Sequence, residues 1–318
     1  MRWSARNVVA LAAVGLALAQ TGCQSGAPGA RFLSFFGLSQ QPVVVALTPE
    51  LGVLDPFTPH EPLRKALSAA LHRPVQLRLC FPFQLDPGLN WGFYDFALVT
   101  PAAYAELNGR ERFEILASSV DESGRAARPA LLVVAADSPI QSVADLRGKS
   151  VAFGPLGDSR THHAAVVLLQ EHGLKKTDLS LSLLPLPGSL RHFPKMRDVA
   201  LSVINGSSDA GFIDQAAFEE LPETADVEDE PARSRLRVIA QTMALPDKIV
   251  VCSPKTDRST VGAVADFLLS VAETQPEVLR PLLLSAYQKP AAELRAQCEQ
   301  LTQSAPLAPP EQAAFLEP

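Results

Sequence analysis

From Pro42 onward the chain alternates short, unbroken apolar runs with amphipathic ones, and that alternation restricts the fold more than any other feature. "PVVVALT" is apolar at all but its last position and rich in β-branched residues, the pattern of a strand buried on both faces. It gives way to turn formers in "TPELGVLDPF". "EPLRKALSAALH" then places Leu63, Ala66, Leu67, Ala70 and Leu71 at helical spacing behind a proline. "PVQLRLC" reads as a second strand, "YDFALVTPAAYAEL" as a third that breaks at Thr100-Pro101 into a helix, and "FEILASSV" as a fourth. β-α-β-α-β in so short a span calls for a parallel sheet with helices on its faces. Ligands of such sheets sit beyond the carboxyl ends of the strands, which directs attention to the loops at 48–51 and 100–103.

A second αβ series follows. "ALLVVAADSPI" is a strand and turn, "SVADLRG" a short helix stopped by Gly148, "KSVAFG" a strand, and "HAAVVLLQEHGL" a helix ended by Gly173. "LSLSLLPL" reads as a strand, "MRDVALSVING" as a helix closed by Gly206, and "SSDAGFID" as a short strand leading to "QAAFEEL". The acidic "PETADVEDEPARS" is a solvated loop; "RLRVIAQT" and "DKIVVCS" are strands, and helices complete the chain to about residue 302. With 47% apolar and 19% charged residues, such a chain can build a large core. Its net charge of −6 forms no basic stripe with interleaved aromatics, so it carries no signature for nucleic acid.

The amino terminus is a targeting device. Arg2 and Arg6 precede "VVALAAVGLALA", too short for a comfortable membrane span, and the small-residue site "TGC" follows. Residues 1–23 read as a signal peptide whose end, "LAQTGC", resembles the lipobox of bacterial lipoproteins; that resemblance makes Cys23 the lipid-modified first mature residue. Residues 24–41 are a Gly/Ser/Ala-rich tether and 303–318 a Pro/Ala-rich tail. Cys80, Cys252 and Cys298 remain, an odd number in an oxidising compartment, allowing at most one disulfide and showing no zinc-site spacing.

Several stretches together resemble the substrate-binding lipoproteins of phosphate, phosphite and phosphonate ABC transporters. "DFALVTPAAYAEL" is similar to that family's third strand and following helix, and "ADSPIQSVADLRGKSVAFG" to its crossing strand, Asp-Ser-Pro turn and the strand that leads to the ligand loop. "INGSSDAGFID" and "LRVIAQTMALPDKIVV" resemble its Gly-x-x-Asp-Ala-Gly segment and return strand. The resemblance spans roughly residues 42–285. It implies an α/β, two-lobed type II periplasmic binding protein: each lobe a mainly parallel sheet flanked by helices, two crossing strands, and a ligand cleft closed by hinge motion. Lobe one would take 42–136 and 244–302, lobe two 137–243, with hinges near "AADSP" and "AQTMALP". The implied function is that of a monomeric, extracytoplasmic, lipid-anchored receptor that binds a small phosphate- or phosphonate-like oxyanion and delivers it to an ABC permease in the inner membrane, without cofactor or catalysis. A sensory or scaffold lipoprotein on the same fold, with an altered ligand or none, is the alternative.

In that family hydroxyls and backbone N–H groups at helix N-termini hold the anion, where donors lack intrahelical partners. The matching positions are Thr100 in the first lobe and Ser159 with Thr161 in the second. The family's Ser-Thr-Ser-Gly-like run is replaced here by "GDSRTHH". Arg160 can grip an oxyanion in bidentate fashion. Asp158 either repels a bound dianion or caps the helix. His162 can donate to an anion, whereas His162 and His163, adjacent on a helix, point too far apart to share a metal. Asp214, at a strand end, is the candidate partner for a ligand amine, with Asp209 read as a turn residue. Tyr104 either lines the cleft or packs in the core, and Glu50, in the first strand-end loop, is a further cleft candidate. No nucleophile-base signature is present.

Overall fold

The computed structural model describes residues 41–48, 55–181, 190–224 and 231–302. The signal peptide with Cys23, the tether up to residue 40, Glu50 and the 303–318 tail lie outside the described residues, as does most of "LSLSLLPL".

The first αβ series forms β1 (Val43–Leu47), α1 (Glu61–Leu71), β2 (Val75–Leu79), α2 (Pro82–Trp91), β3 (Phe96–Val99), α3 (Pro101–Ala105) and β4 (Glu114–Asp121). The second forms β5 (Ala130–Ala135), β6 (Val151–Phe153), α4 (Ala165–Glu171), β7 (Arg191–His192), α5 (Met196–Ile204), β8 (Ala210–Asp214), α6 (Gln215–Glu219) and β9 (Leu236–Gln241). The chain then returns as β10 (Ile249–Cys252), α7 (Arg258–Thr274), β11 (Leu284–Gln288) and α8 (Leu294–Leu301).

Two sheets result, ordered β11-β4-β10-β3-β1-β2 and β7-β6-β8-β5-β9. β1 sits between parallel neighbours, with Val45 opposite both Leu77 and Phe96, which is why its sequence is apolar throughout. One face of this sheet buries Val43, Leu67, Val264 and Phe267 under α1 and α7; the other buries Leu85, Leu89, Tyr104 and Cys298 under α2, α3 and α8. The second sheet packs Leu132, Phe153, Leu168 and Phe212 on one side and Val199, Val203 and Ile213 on the other.

The sheets are mixed rather than mainly parallel. β10 runs antiparallel to β3 and β4, and β5 antiparallel to β8 and β9, because the strands next to each crossing return against the parallel set. The crossings, 122–129 and 242–248, are joined by an antiparallel bridge: Arg128 N–H donates to Leu245 O at 3.0 Å and Leu245 N–H to Arg128 O at 2.9 Å. The first crossing therefore precedes β5. The boundary expected after residue 136, with its hinge at "AADSP", is corrected: Ala130–Ala135 is a central strand of the second sheet, and "AADSP" is the turn at its far end.

α2 and β11 depart from the sequence expectations. α2 forms despite its internal Pro87, entered through Pro82 and closed by Gly92 at φ 75°. β11 pairs with β4 as an edge strand inside a stretch read as helical. Cys80, Cys252 and Cys298 are all free, buried thiols, and burial pushes the Cys298 thiol up to about 12.

Candidate functional site

The carboxyl end of β3 opens into α3 through Thr100, whose hydroxyl caps the helix by accepting the Ala103 N–H at 3.2 Å. The Ala102 N–H, one of the donors a helix start leaves without an intrahelical partner, is not spent within the first lobe. It donates at 3.0 Å to the Ser159 hydroxyl, a buried bond across the cleft.

Ser159 stands just beyond β6. After Gly154 the chain turns into a π-helical stretch, Ser159–Ala164, that continues as α4. Gly154 is needed for close approach: a Cβ there would stand 2.1 Å from Thr161 Oγ1 and 2.6 Å from Met196 Cε. Asp158 caps this helix. Its Oδ1 accepts the Arg160 N–H at 3.0 Å, the Thr161 N–H at 2.7 Å and the Thr161 hydroxyl at 2.7 Å. Of the groups that the resemblance assigns to an oxyanion, Thr161 is thus engaged by the protein's own carboxylate. Thr161 is fully buried, its hydroxyl committed to that bond.

Arg160 does not reach for a ligand. Its Nε lies 2.6 Å from Asp214 Oδ2, its Nη2 2.5 Å from Asp247 Oδ1, and its Nη1 donates to Leu245 O at 3.3 Å. Burial works against the guanidinium's charge, but Asp247, Asp214 and Asp158 outweigh it and hold its pKa above the usual value. Arg128, on the first crossing, extends the cluster: it pairs with Asp121, with Asp247 at 3.1 Å, and with Asp214 at 3.6 Å. Burial opposes the Asp121 charge too, yet hydrogen bonds from Ser123, the Arg125 N–H and Arg128 keep its carboxyl below the usual range. The chain of pairs runs from the end of β4 through both crossings to the end of β8.

Several expectations change accordingly. Arg160 lies against Asp214, Asp247 and the Leu245 carbonyl, so a bidentate grip on an anion would compete with those contacts. Asp214 is not a free partner for an amine: it faces Arg160 and Arg128 and also accepts the Ala216 N–H at 2.9 Å as the cap of α6. Tyr104 packs fully buried in the first-lobe core, its hydroxyl donating to Arg110 O at 3.0 Å. Asp209 accepts the Ser150 N–H at 2.8 Å and hydroxyl at 2.7 Å, tying two second-lobe segments together. Arg128, Asp121 and Asp247 escaped the sequence reading.

His162 is also recast. It is buried; its Nδ1 accepts the Gly157 N–H at 3.0 Å, so its proton sits on Nε2. The His163 and His192 rings lie 4.7 and 4.6 Å away, centre to centre, and Phe153 completes the cluster. His192 donates from Nδ1 to Gly154 O at 2.8 Å. Burial, then the neighbouring histidines, push His162 down to about 3, so it is a neutral packing residue and no cationic donor. Among the described residues no group of three or more His, Cys, Asp or Glu is placed to hold a metal ion.

The arrangement brings a helix N-terminus of the first lobe against a hydroxyl-bearing loop of the second, beside two crossing segments whose charges are paired with one another. Solved structures share this architecture at low identity. A Xanthomonas citri protein bound to ATP aligns at 17% identity and a TM-score of 0.64, over 83% of this chain and 97% of that one. A binding protein component of an ABC phosphonate transporter from Pseudomonas aeruginosa aligns at 20% and 0.55, over 83% and 86%. PhnD1 from Prochlorococcus marinus in complex with methylphosphonate aligns at 14% and 0.58, over 82% and 97%. The family model described as "ABC transporter, phosphonate, periplasmic substrate-binding protein" matches residues 57–294, about three-quarters of the sequence, and the chain belongs to that family.

Proposed function

We propose that the chain is an extracytoplasmic receptor, tethered to the membrane through a lipid on Cys23, that clamps a small polar solute between its lobes and presents it to an ABC permease in the inner membrane. The observation that carries this reading is the Ala102–Ser159 hydrogen bond, which brings both candidate ligand loops to one point. A solute entering the opened cleft takes over the Ala102 N–H and the Ser159 hydroxyl as donors, and closure about the 122–129 and 242–248 crossings commits it. A helix N-terminus suits the phosphate- or phosphonate-like oxyanion that the family implies, but Asp158 already fills an acceptor's place at the second-lobe loop, so the reading is kept at a small polar solute.

A second reading is favoured by the same contact. With Ser159 and Asp158 already supplying the bonds a solute would make, the closed lobes can act as a solute-independent scaffold or sensor module toward a membrane partner.

Thermal unfolding of the purified protein with phosphate, phosphite, methylphosphonate, aminoethylphosphonate and uncharged or cationic osmolytes separates the two. The receptor reading expects at least one compound to stabilise the wild type and none to stabilise Ser159→Trp, whose indole fills the seat. Stabilisation by no compound leaves the scaffold reading, and equal stabilisation of both proteins places binding outside the cleft.

A further inference from the structure

Three donors of the second-lobe loop converge on a single atom, Asp158 Oδ1: the Arg160 N–H, the Thr161 N–H and the Thr161 hydroxyl, within 3.0 Å. That is the geometry of a bound oxyanion, supplied by the chain itself. The surroundings do not compensate for it. Arg160 and Arg128 are the cluster's two cations, and Asp121, Asp214, Asp247 and Asp158 are four carboxylates around them, leaving two negative charges in excess. Arg160, which follows Asp158 closely in the chain, already lies against Asp214, Asp247 and the Leu245 carbonyl, so moving its guanidinium to a guest would break those ion pairs. The local helix dipole, which would attract an anion, is already answered by Asp158.

We propose that Asp158 is a specificity-determining residue of the cleft. Its carboxylate holds the place of a ligand oxyanion, so the site rejects dianionic phosphate and phosphonate groups and takes a solute whose contacting end carries no negative charge. The inference rests on the receptor reading above and deepens it by naming the solute class. A dianion would have to displace Asp158 from three donors and then sit beside the displaced carboxylate, while Arg160 and Arg128 are already paired with other carboxylates. A hydroxyl, amide or ammonium group can instead share Asp158 as an acceptor while Ala102 and Ser159 hold its other atoms.

Methylphosphonate is the probe, titrated calorimetrically at mildly alkaline pH, where it is a dianion, into the wild type, Asp158→Asn and Asp158→Ser. Both replacements retain the ability to cap the helix, so the fold is kept while the charge is removed. The expected result is no detectable binding by the wild type at millimolar concentration, and binding by one or both variants at least about tenfold tighter. Wild-type binding as tight as that of the variants overturns the inference while leaving the receptor reading intact. Failure of all three proteins to bind also overturns it; in that case stabilisation of the wild type by an uncharged or cationic solute keeps the receptor reading, and its absence removes that as well.

Discussion

The Ser159 hydroxyl accepts the Ala102 backbone N–H at 3.0 Å, joining two helix starts 57 positions apart that follow strands of different sheets. Both partners are buried, and Ala102 N–H has no acceptor within its own helix turn. The bond therefore fastens the helix start beyond β3 to the loop beyond β6.

Removing the hydroxyl should loosen that closure. Ser159→Ala leaves a donor without its acceptor, a loss of about 1–2 kcal/mol. The expected outcome is a lower urea midpoint together with a larger radius of gyration in solution scattering; an unchanged radius would mean that other contacts keep the lobes shut.

Arg160 neutralises Asp214 and Asp247 at contact distances of 2.6 and 2.5 Å, with its side chain only 11% exposed. Arg160→Gln removes one of the two cations that Asp214 and Asp247 share, leaving both carboxylates to Arg128, and should cost about 2–3 kcal/mol in equilibrium unfolding. A loss under about 1 kcal/mol is what an exposed pair gives, and would show the cluster to be solvated.

Gly154 is held by space rather than by backbone conformation. The 2.1 Å and 2.7 Å approaches of Thr161 Oγ1 and Cβ to the position of an added methyl mean that Gly154→Ala must push the Ser159–Ala164 turn away. A destabilisation of about 2 kcal/mol is expected, with loss of the Thr161-to-Asp158 bonds visible as faster exchange of the Thr161 amide. Wild-type stability in this variant would contradict the packing described.

The histidine cluster makes stability depend on acidity. His162 titrates near 6.5 when unfolded but is pushed down to about 3 in the fold by burial, His163 and His192, with Lys176 adding to the effect. His163 and His192 are lowered too, chiefly by burial. Between those values the unfolded chain binds the extra proton, so the stability is fully present above about pH 6.5 and is lost as pH falls. For His162 alone the loss is about 2 kcal/mol at pH 5. His162→Asn, whose amide oxygen can still accept the Gly157 N–H, should flatten the decline in unfolding temperature between pH 7.5 and pH 5. An equally steep decline would assign the sensitivity to other groups.

What could be read from the sequence was what local pattern alone dictates. β1 was legible because a strand buried on both faces has no polar position, and the β3-to-α3 junction because Thr100 and Pro101 combine a cap with the proline of a first turn. α2 was not, since Pro87 and Gly88 interrupt any helical pattern there; Gly88 is there to let the Tyr94 ring lie against the helix, a contact visible only in three dimensions. The position of β5 was missed because a crossing is defined by which strands it pairs with, and β8 lies some 80 residues further along. The charge cluster was hidden for the same reason. Asp121, Arg128, Arg160, Asp214 and Asp247 come from five separate segments, and each alone resembles an ordinary surface residue.

Amide hydrogen exchange at Ala102 tests the closed clamp most directly. The account predicts that in the solute-free protein this amide exchanges slowly, and that Ser159→Ala accelerates it while the core amides of β3 and β10 stay protected. Exchange of the wild-type Ala102 amide at the rate of an unprotected helix N-terminus would contradict it, because the lobes would then stand open and Ser159 would not hold the cleft shut.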